Sequence, residues 1–166
     1  IRLRLKMDDR VRPIWTVTGK ISGREEPEAL VIAGNHRDAW IYGGVSVNAM
    51  AKPARTREAI HLDAIYRHHP LFLGREFERW SDGWPLPPHL EGGDVLVIGN
   101  GAVLVGMGER TTPVAVELLA ERLFDAGAAR EVIAVSLPAQ RSAMHLDTVL
   151  TMIDRDAFTI YPDLRA

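Results

Sequence analysis

The chain has 166 residues, 46% of them apolar and 25% charged, with a formal net charge of -2. That is enough for one domain with a real core, and the near-neutral balance gives no electrostatic footprint for a nucleic-acid or membrane partner. Cysteine is absent, which excludes disulfides, thiolate metal sites and a cysteine nucleophile within these residues.

In chain order, "IWTVT" (14–18) alternates and favours β-branched types, predicting a strand. "SGREEPE" (22–28) reads as a charged turn. "ALVIAG" (29–34) reads as a short buried strand. Such a strand would deliver His36, Arg37 and Asp38 to a sheet edge, where sites gather. "PARTREAIHLDAIYRHHP" (53–70) predicts a helix, with Pro53 in its first turn, Ala59, Ile60, Leu62, Ala64 and Ile65 as an apolar stripe, and Pro70 as its end. "LFLGREFERW" (71–80) leaves room for a short strand, and "SDGWPLPPHLEGG" (81–93) is a Pro/Gly-rich loop.

"DVLVIGNGAVLVGM" (94–107) sets two apolar runs around Gly99-Asn100-Gly101, a hairpin signal. "ERTTPVAVELLAERLFDAGA" (109–128) predicts a helix with Thr111 or Thr112 as N-cap, Pro113 in the first turn and Gly127 as the stop. "EVIAVSLP" (131–138) predicts a buried strand. "VLTMID" (149–154) and "AFTIYP" (157–162) predict two more strands joined at Arg155-Asp156. The strand–strand–helix–strand order begins to repeat, without a strict sequence repeat. No apolar run approaches the roughly 18 residues of a membrane span, the first residues carry no signal-type apolar core, and the expected location is cytoplasmic. The chain begins at Ile1 rather than Met and reads as a fragment.

Several ionisable residues fall in the loops. "LEGGD" (90–94) puts Glu91 at the mouth of the hairpin. "MHLDT" (144–148) puts His145 and Asp147 two apart, on one face of an extended segment. Two carboxylates and an imidazole can grip a planar cation and move protons around it. Arg110 precedes one predicted helix and Arg55 lies near the start of the other; either can hold a carboxylate through a two-pronged hydrogen bond. Taken singly, Glu-Gly-Gly-Asp is a solvated turn, His145 a satisfied loop histidine and Arg110 a surface residue. Arg67, His68 and His69 read as charges near the negative end of a helix dipole. No Gly-rich phosphate loop with Lys-Ser/Thr occurs.

The stretches "WIYGGVSVNAM", "EGGDVLVIGNG", "GMGERT", "LP..R.AMHLDTV" and "DRDAFTIYP", in that order, resemble arginine deiminase over roughly 40–166. The resemblance implies an α/β propeller of ββαβ units, of which this chain would supply about two and a half of five blades. It implies hydrolysis of L-arginine to L-citrulline and ammonia without metal or organic cofactor. By motif matching, His145 is the general acid/base, and Glu91 orients it and helps bind the guanidinium. Asp147 and Asp38 grip the guanidinium, and Arg55 and Arg110 hold the substrate carboxylate. The interval from Asp38 to Trp40 is shorter than in the family by about two residues, and side-chain placement matters here to about 1 Å. The family's nucleophile is a cysteine near its C-terminus, so the chain as given is expected to be inactive. Unpaired blade edges predict self-association.

"VTGKISGREEPEALVIAGNHRDAW" (17–40) resembles instead zinc peptidases of the glutamate carboxypeptidase and transferrin-receptor-like group, in which the histidine of "HRD" binds zinc. Their Asp-Pro is replaced here by Ser46-Val47, and His36 alone makes no metal site, since catalytic zinc needs about three protein ligands. The expected organisation is therefore chimeric, with a peptidase-like segment of two short strands over 1–39 and a partial deiminase domain over 40–166. A non-catalytic arginine- or guanidinium-binding module is the alternative function, and a zinc exopeptidase remnant a further one.

Overall fold

In the computed structural model, which describes residues 36–84, 88–154 and 156–162, the chain first reverses at Tyr42-Gly43. Both residues have positive φ, 37° and 85°, the two-residue turn whose twist suits flanking strands. It joins β1 (Asp38–Ile41) to β2 (Gly44–Val47), an antiparallel pair that the sequence reading left without strands. The strands expected at 14–18 and 29–34 lie outside the described residues. A 3-10 turn at Pro53–Arg55 leads into α1 (Glu58–His68), shorter than the expected 53–70. His69 takes an extended backbone, ψ 136°, because the residue before a proline is pushed out of the helical region. β3 (Glu78–Arg79) then pairs parallel to β2, with Gly44 opposite Glu78.

The second unit repeats this order. β4 (Val95–Gly99) and β5 (Ala102–Met107) form an antiparallel hairpin around Asn100-Gly101, at φ 51° and 76°. α2 (Pro113–Asp125) starts after Thr112, the second of the two expected caps, whose hydroxyl accepts the Ala115 N–H, with Pro113 in the first turn as expected. Gly127, at φ 63°, supplies the left-handed residue that ends it. β6 (Glu131–Ser136) pairs parallel to β5. β7 (Leu150–Asp154) and β8 (Ala157–Ile160) form a last antiparallel pair; Arg155 of the expected turn lies outside the described residues. The architecture is thus mixed α/β, with open sheets ordered β1-β2-β3, β4-β5-β6 and β7-β8.

The pleat of the central sheet sorts its apolar side chains to two faces. Val103 and Val105 pack with Ala39, Ile41, Trp80, Leu90 and the buried side of α2 (Ala115, Val116, Leu119, Leu123). Leu96, Leu104 and Val135 pack on the other face against Leu137, Ala143, Leu146 and Val149. The Trp80 indole donates to Ile41 O at 2.9 Å, and Tyr42 Oη donates to Ala102 O at 2.9 Å, tying the first hairpin to the second. β6 corrects one expectation: it is not a buried strand, since Glu131, Ile133, Ala134 and Ser136 are exposed. Its apolar run follows from half-burial on Val132 and Val135, with β5 its partner in the sheet. No helix among the described residues is long and apolar enough to cross a membrane.

Candidate active site

Backbone bonds at the strand ends bring distant loops together. The Gly92 N–H donates to His36 O at 2.8 Å, Leu90 N–H to Ala49 O at 3.2 Å, and Thr112 N–H to His89 O at 2.9 Å. Lys52 pairs with Glu109, joining the approach to α1 to the loop before α2. The result gathers five of the six expected site residues.

Glu91 is at the centre, with no exposed surface. Its Oε2 lies 2.8 Å from His145 Nε2 and 3.6 Å from Arg55 Nη1. Its Oε1 accepts from Ala51 N–H at 3.1 Å and Arg110 Nη1 at 3.4 Å. Burial alone would raise the pKa of this carboxyl. The hydrogen bonds from His145 and Ala51 and the charges of His145 and Arg110 outweigh it and hold the value at about 2. Glu91 is therefore an anion at neutral pH.

His145 is 1% exposed. Its Nδ1 is buried without a hydrogen-bond partner among the described residues, as is Arg110 Nε. Buried polar atoms are rarely left unpaired, and those that are mark a place for a ligand or water. Arg110 also lines a cleft of about 480 Å³ with Gln140, Arg141 and Met144. Arg55 is committed locally to Glu58, whose hydrogen bonds raise its pKa.

Asp147 joins the group through His36, whose Nε2 lies 3.3 Å from Asp147 Oδ2. The His36 ring lies 4.0 Å from that of His145, centroid to centroid. The sequence reading set His36 aside for want of partners; the fold supplies them from loops 55 and 109 residues further along the chain. Asp38 is held differently. Ala39 and Ile41 face the core, whereas Asp38 accepts from Tyr66 Oη on α1, and Trp40 Nε1 donates to the same oxygen at 3.0 Å. Burial first, and the bond to Asp38 next, push the Tyr66 hydroxyl well above its usual pKa.

Asp94 escaped notice inside "EGGD", where it read as a turn residue. Its Oδ2 accepts from Thr111 Oγ1 at 2.6 Å and its Oδ1 from Leu146 N–H at 2.9 Å. Thr111 Oγ1 in turn accepts the Glu91 N–H at 3.1 Å. One buried carboxylate thus fixes the backbone beside both Glu91 and His145. Burial raises it to about pKa 6 against the pull of those two hydrogen bonds. The pattern of chain neighbours gave no signal for it, because its partners are 17 and 52 residues away.

With this geometry in place, solved structures identify the type of fold. The chain is similar to dimethylarginine dimethylaminohydrolase from Pseudomonas aeruginosa, a serine-for-cysteine mutant complexed with citrulline (18% identity, TM-score 0.57, 75% of this chain and 44% of that one). It is similar to a histidine-to-glycine variant of dimethylarginine dimethylaminohydrolase in an adduct with S-methyl-L-thiocitrulline (17%, 0.56, 75% and 44%). It is also similar to SxtG, an amidinotransferase from Microseira wollei in the saxitoxin biosynthetic pathway (16%, 0.52, 77% and 42%). The chain spans less than half the length of each. The fold is thus the one shared by these hydrolases and amidinotransferases. The arginine deiminase family model matches residues 35–166, and the chain belongs to that family. His36, Arg37 and Asp38 fall inside this match.

Proposed function

We propose that the chain carries part of the reaction site of an arginine deiminase-like amidine hydrolase, which converts L-arginine and water to L-citrulline and ammonia. The observation that carries this reading is the buried Glu91–His145 pair at 2.8 Å, with the second ring nitrogen unpartnered among the described residues. It is supported by the family match and by relatives that hold citrulline or a thiocitrulline adduct.

The reaction needs a thiolate from outside these 166 residues, which contain no cysteine. Its sulfur bonds to the guanidinium carbon, one terminal C–N bond breaks, and His145 gives a proton to the leaving ammonia. His145 then takes a proton from water as the water oxygen bonds to the same carbon. The C–S bond breaks, releasing citrulline and the thiolate. Glu91 stays ionised throughout and stabilises both the imidazolium and the cationic adduct. Asp147 grips the guanidinium edge. Asp38 joins it by exchanging Tyr66 for substrate, and Arg110 and Arg55 receive the substrate carboxylate. No metal or organic cofactor takes part, the partner is a small molecule rather than nucleic acid or membrane, and the setting is cytoplasmic. In a five-bladed propeller, the two ββαβ units and the last hairpin make about two and a half blades.

The test joins the chain to a cysteine-bearing C-terminal part of an arginine deiminase and measures citrulline. Citrulline is expected from the fusion and not from its H145A variant. A folded fusion without citrulline overturns the reading. The lack of cysteine favours a second reading, a non-catalytic arginine-binding module. Calorimetry with L-arginine on the chain alone tests it, and absence of heat at about 1 mM ligand removes it. Neither comparison supports a zinc exopeptidase reading of residues 17–40.

A further inference from the structure

We propose that His36, Glu91 and His145 form a binding site for a divalent cation of the zinc class, and that filling it shuts the amidine site. The cation site stands on its own geometry; only its inhibitory effect rests on the proposed function. One ligand-type atom from each of the three residues lies within 4.8 Å of the others. Tetrahedral zinc with bonds of about 2 Å sets its ligand atoms roughly 3.3 Å apart, so small side-chain rotations close these three on an ion. Two imidazoles and a carboxylate are a donor set that zinc takes readily, and three protein ligands leave one position open.

Two features make this more than a chance grouping. The first is Gly93. A Cβ there would lie 2.7 Å from the His36 ring and 2.9 Å from Asp147 Oδ2, so only glycine lets the His36 imidazole reach across to His145. The second is the pair of supports around the donors. Asp147 Oδ2, 3.3 Å from His36 Nε2, is placed to orient that ring or to serve as a fourth ligand. His145 Nδ1 is buried and unpartnered among the described residues, so this ring keeps a nitrogen for a ligand even while Nε2 holds Glu91. Arg55 and Arg110 oppose a cation, being 3.6 and 3.4 Å from Glu91. Binding therefore depends on the two imidazoles, and His36 is the one that amidine chemistry does not use.

The inhibitory consequence follows from charge and occupancy. A dication would take the nitrogen and carboxylate that the hydrolysis needs, and would repel a guanidinium cation.

Calorimetry with zinc on the 166-residue chain, without arginine, tests the site. One zinc per chain is expected, weakened at least tenfold in H36A and in G93A, and unchanged in H68A, whose histidine is on the exposed end of α1. H36A removes a half-exposed ring, so circular dichroism is expected to show an unchanged fold. Cobalt provides a second readout, since a tetrahedral site gives visible absorption that H36A abolishes. Equal zinc affinity in wild type and H36A, or no binding at about 1 mM zinc, overturns the proposal. Zinc bound without effect on arginine affinity overturns the inhibitory part. Arginine binding without zinc binding overturns the cation site and leaves the proposed function standing.

Discussion

At the scale of single residues, the site is a contrast between two buried carboxylates. Glu91 has three hydrogen-bond partners and an ion pair with Arg55 and is held at about pKa 2, far below its ordinary 4.5; Asp94 accepts two hydrogen bonds and is raised to about 6 from 3.8. Their effects on stability have opposite signs. The Glu91 contribution is complete above pH 4.5 and is lost as pH falls towards 2. The Asp94 contribution is complete below pH 3.8 and is lost as pH rises through 6. Urea unfolding is therefore expected to show wild type losing stability relative to D94N, by roughly 3 kcal/mol, between about pH 4 and 7. A difference independent of pH would mean that Asp94 does not titrate in that window. E91Q is expected to cost about 3 kcal/mol at neutral pH, because it strips the shared counter-charge from Arg55, Arg110 and His145. An E91Q chain as stable as wild type in the same assay would show that the partners of Glu91 find water instead.

At the scale of elements, legibility followed the locality of the signal. The second hairpin, the cap of α2 and its stop were readable because Asn100-Gly101, Thr112-Pro113 and Gly127 each act within a few residues. The first hairpin was not, because Tyr42 at positive φ breaks the usual turn composition and each strand has only four residues. Burial of β6 was misjudged, since an apolar run does not say what covers it. Gly44 carries a close approach that no sequence pattern displays. A Cβ there would meet the Trp80 ring at 2.5 Å and the Glu78 carbonyl at 2.7 Å. Gly43 has open space and only its φ of 85° to lose. G44A is thus expected to cost roughly 3 kcal/mol and G43A nearer 1 kcal/mol in urea unfolding. The reverse order would place the strain in the turn rather than in the packing of Trp80.

At the scale of the whole molecule, residue type and loop position picked out the candidate site residues, motif resemblance gave them roles, and Glu91, His145, Asp147, Arg55 and Arg110 come together in the fold. His36 and Asp94 were not legible as members. Their partners lie on loops far along the chain, and only the folded backbone brings these together. The two ββαβ units bury one continuous core, whereas β7 and β8 leave Ile153 64%, Ile160 59% and Phe158 40% exposed. Apolar surface on an open two-stranded sheet favours association. Sizing chromatography is expected to give an apparent mass that rises with concentration and falls back in an I153K/I160K double variant. A monomer at every concentration would show that this face is tolerated in water.

In the proposed reaction a guanidinium cation is held at the buried Glu91–His145 pair. Nitrogen-15 NMR of the histidine rings during an L-arginine titration tests it most directly, because the chain has only six histidines and one of them is His145. The His145 ring nitrogens are expected to shift in a saturable way, with His36 following, while His61 and His68 on α1 and His69 just beyond its end stay put. No shift at His145 up to about 1 mM arginine, or equal shifts at all six rings, would contradict it.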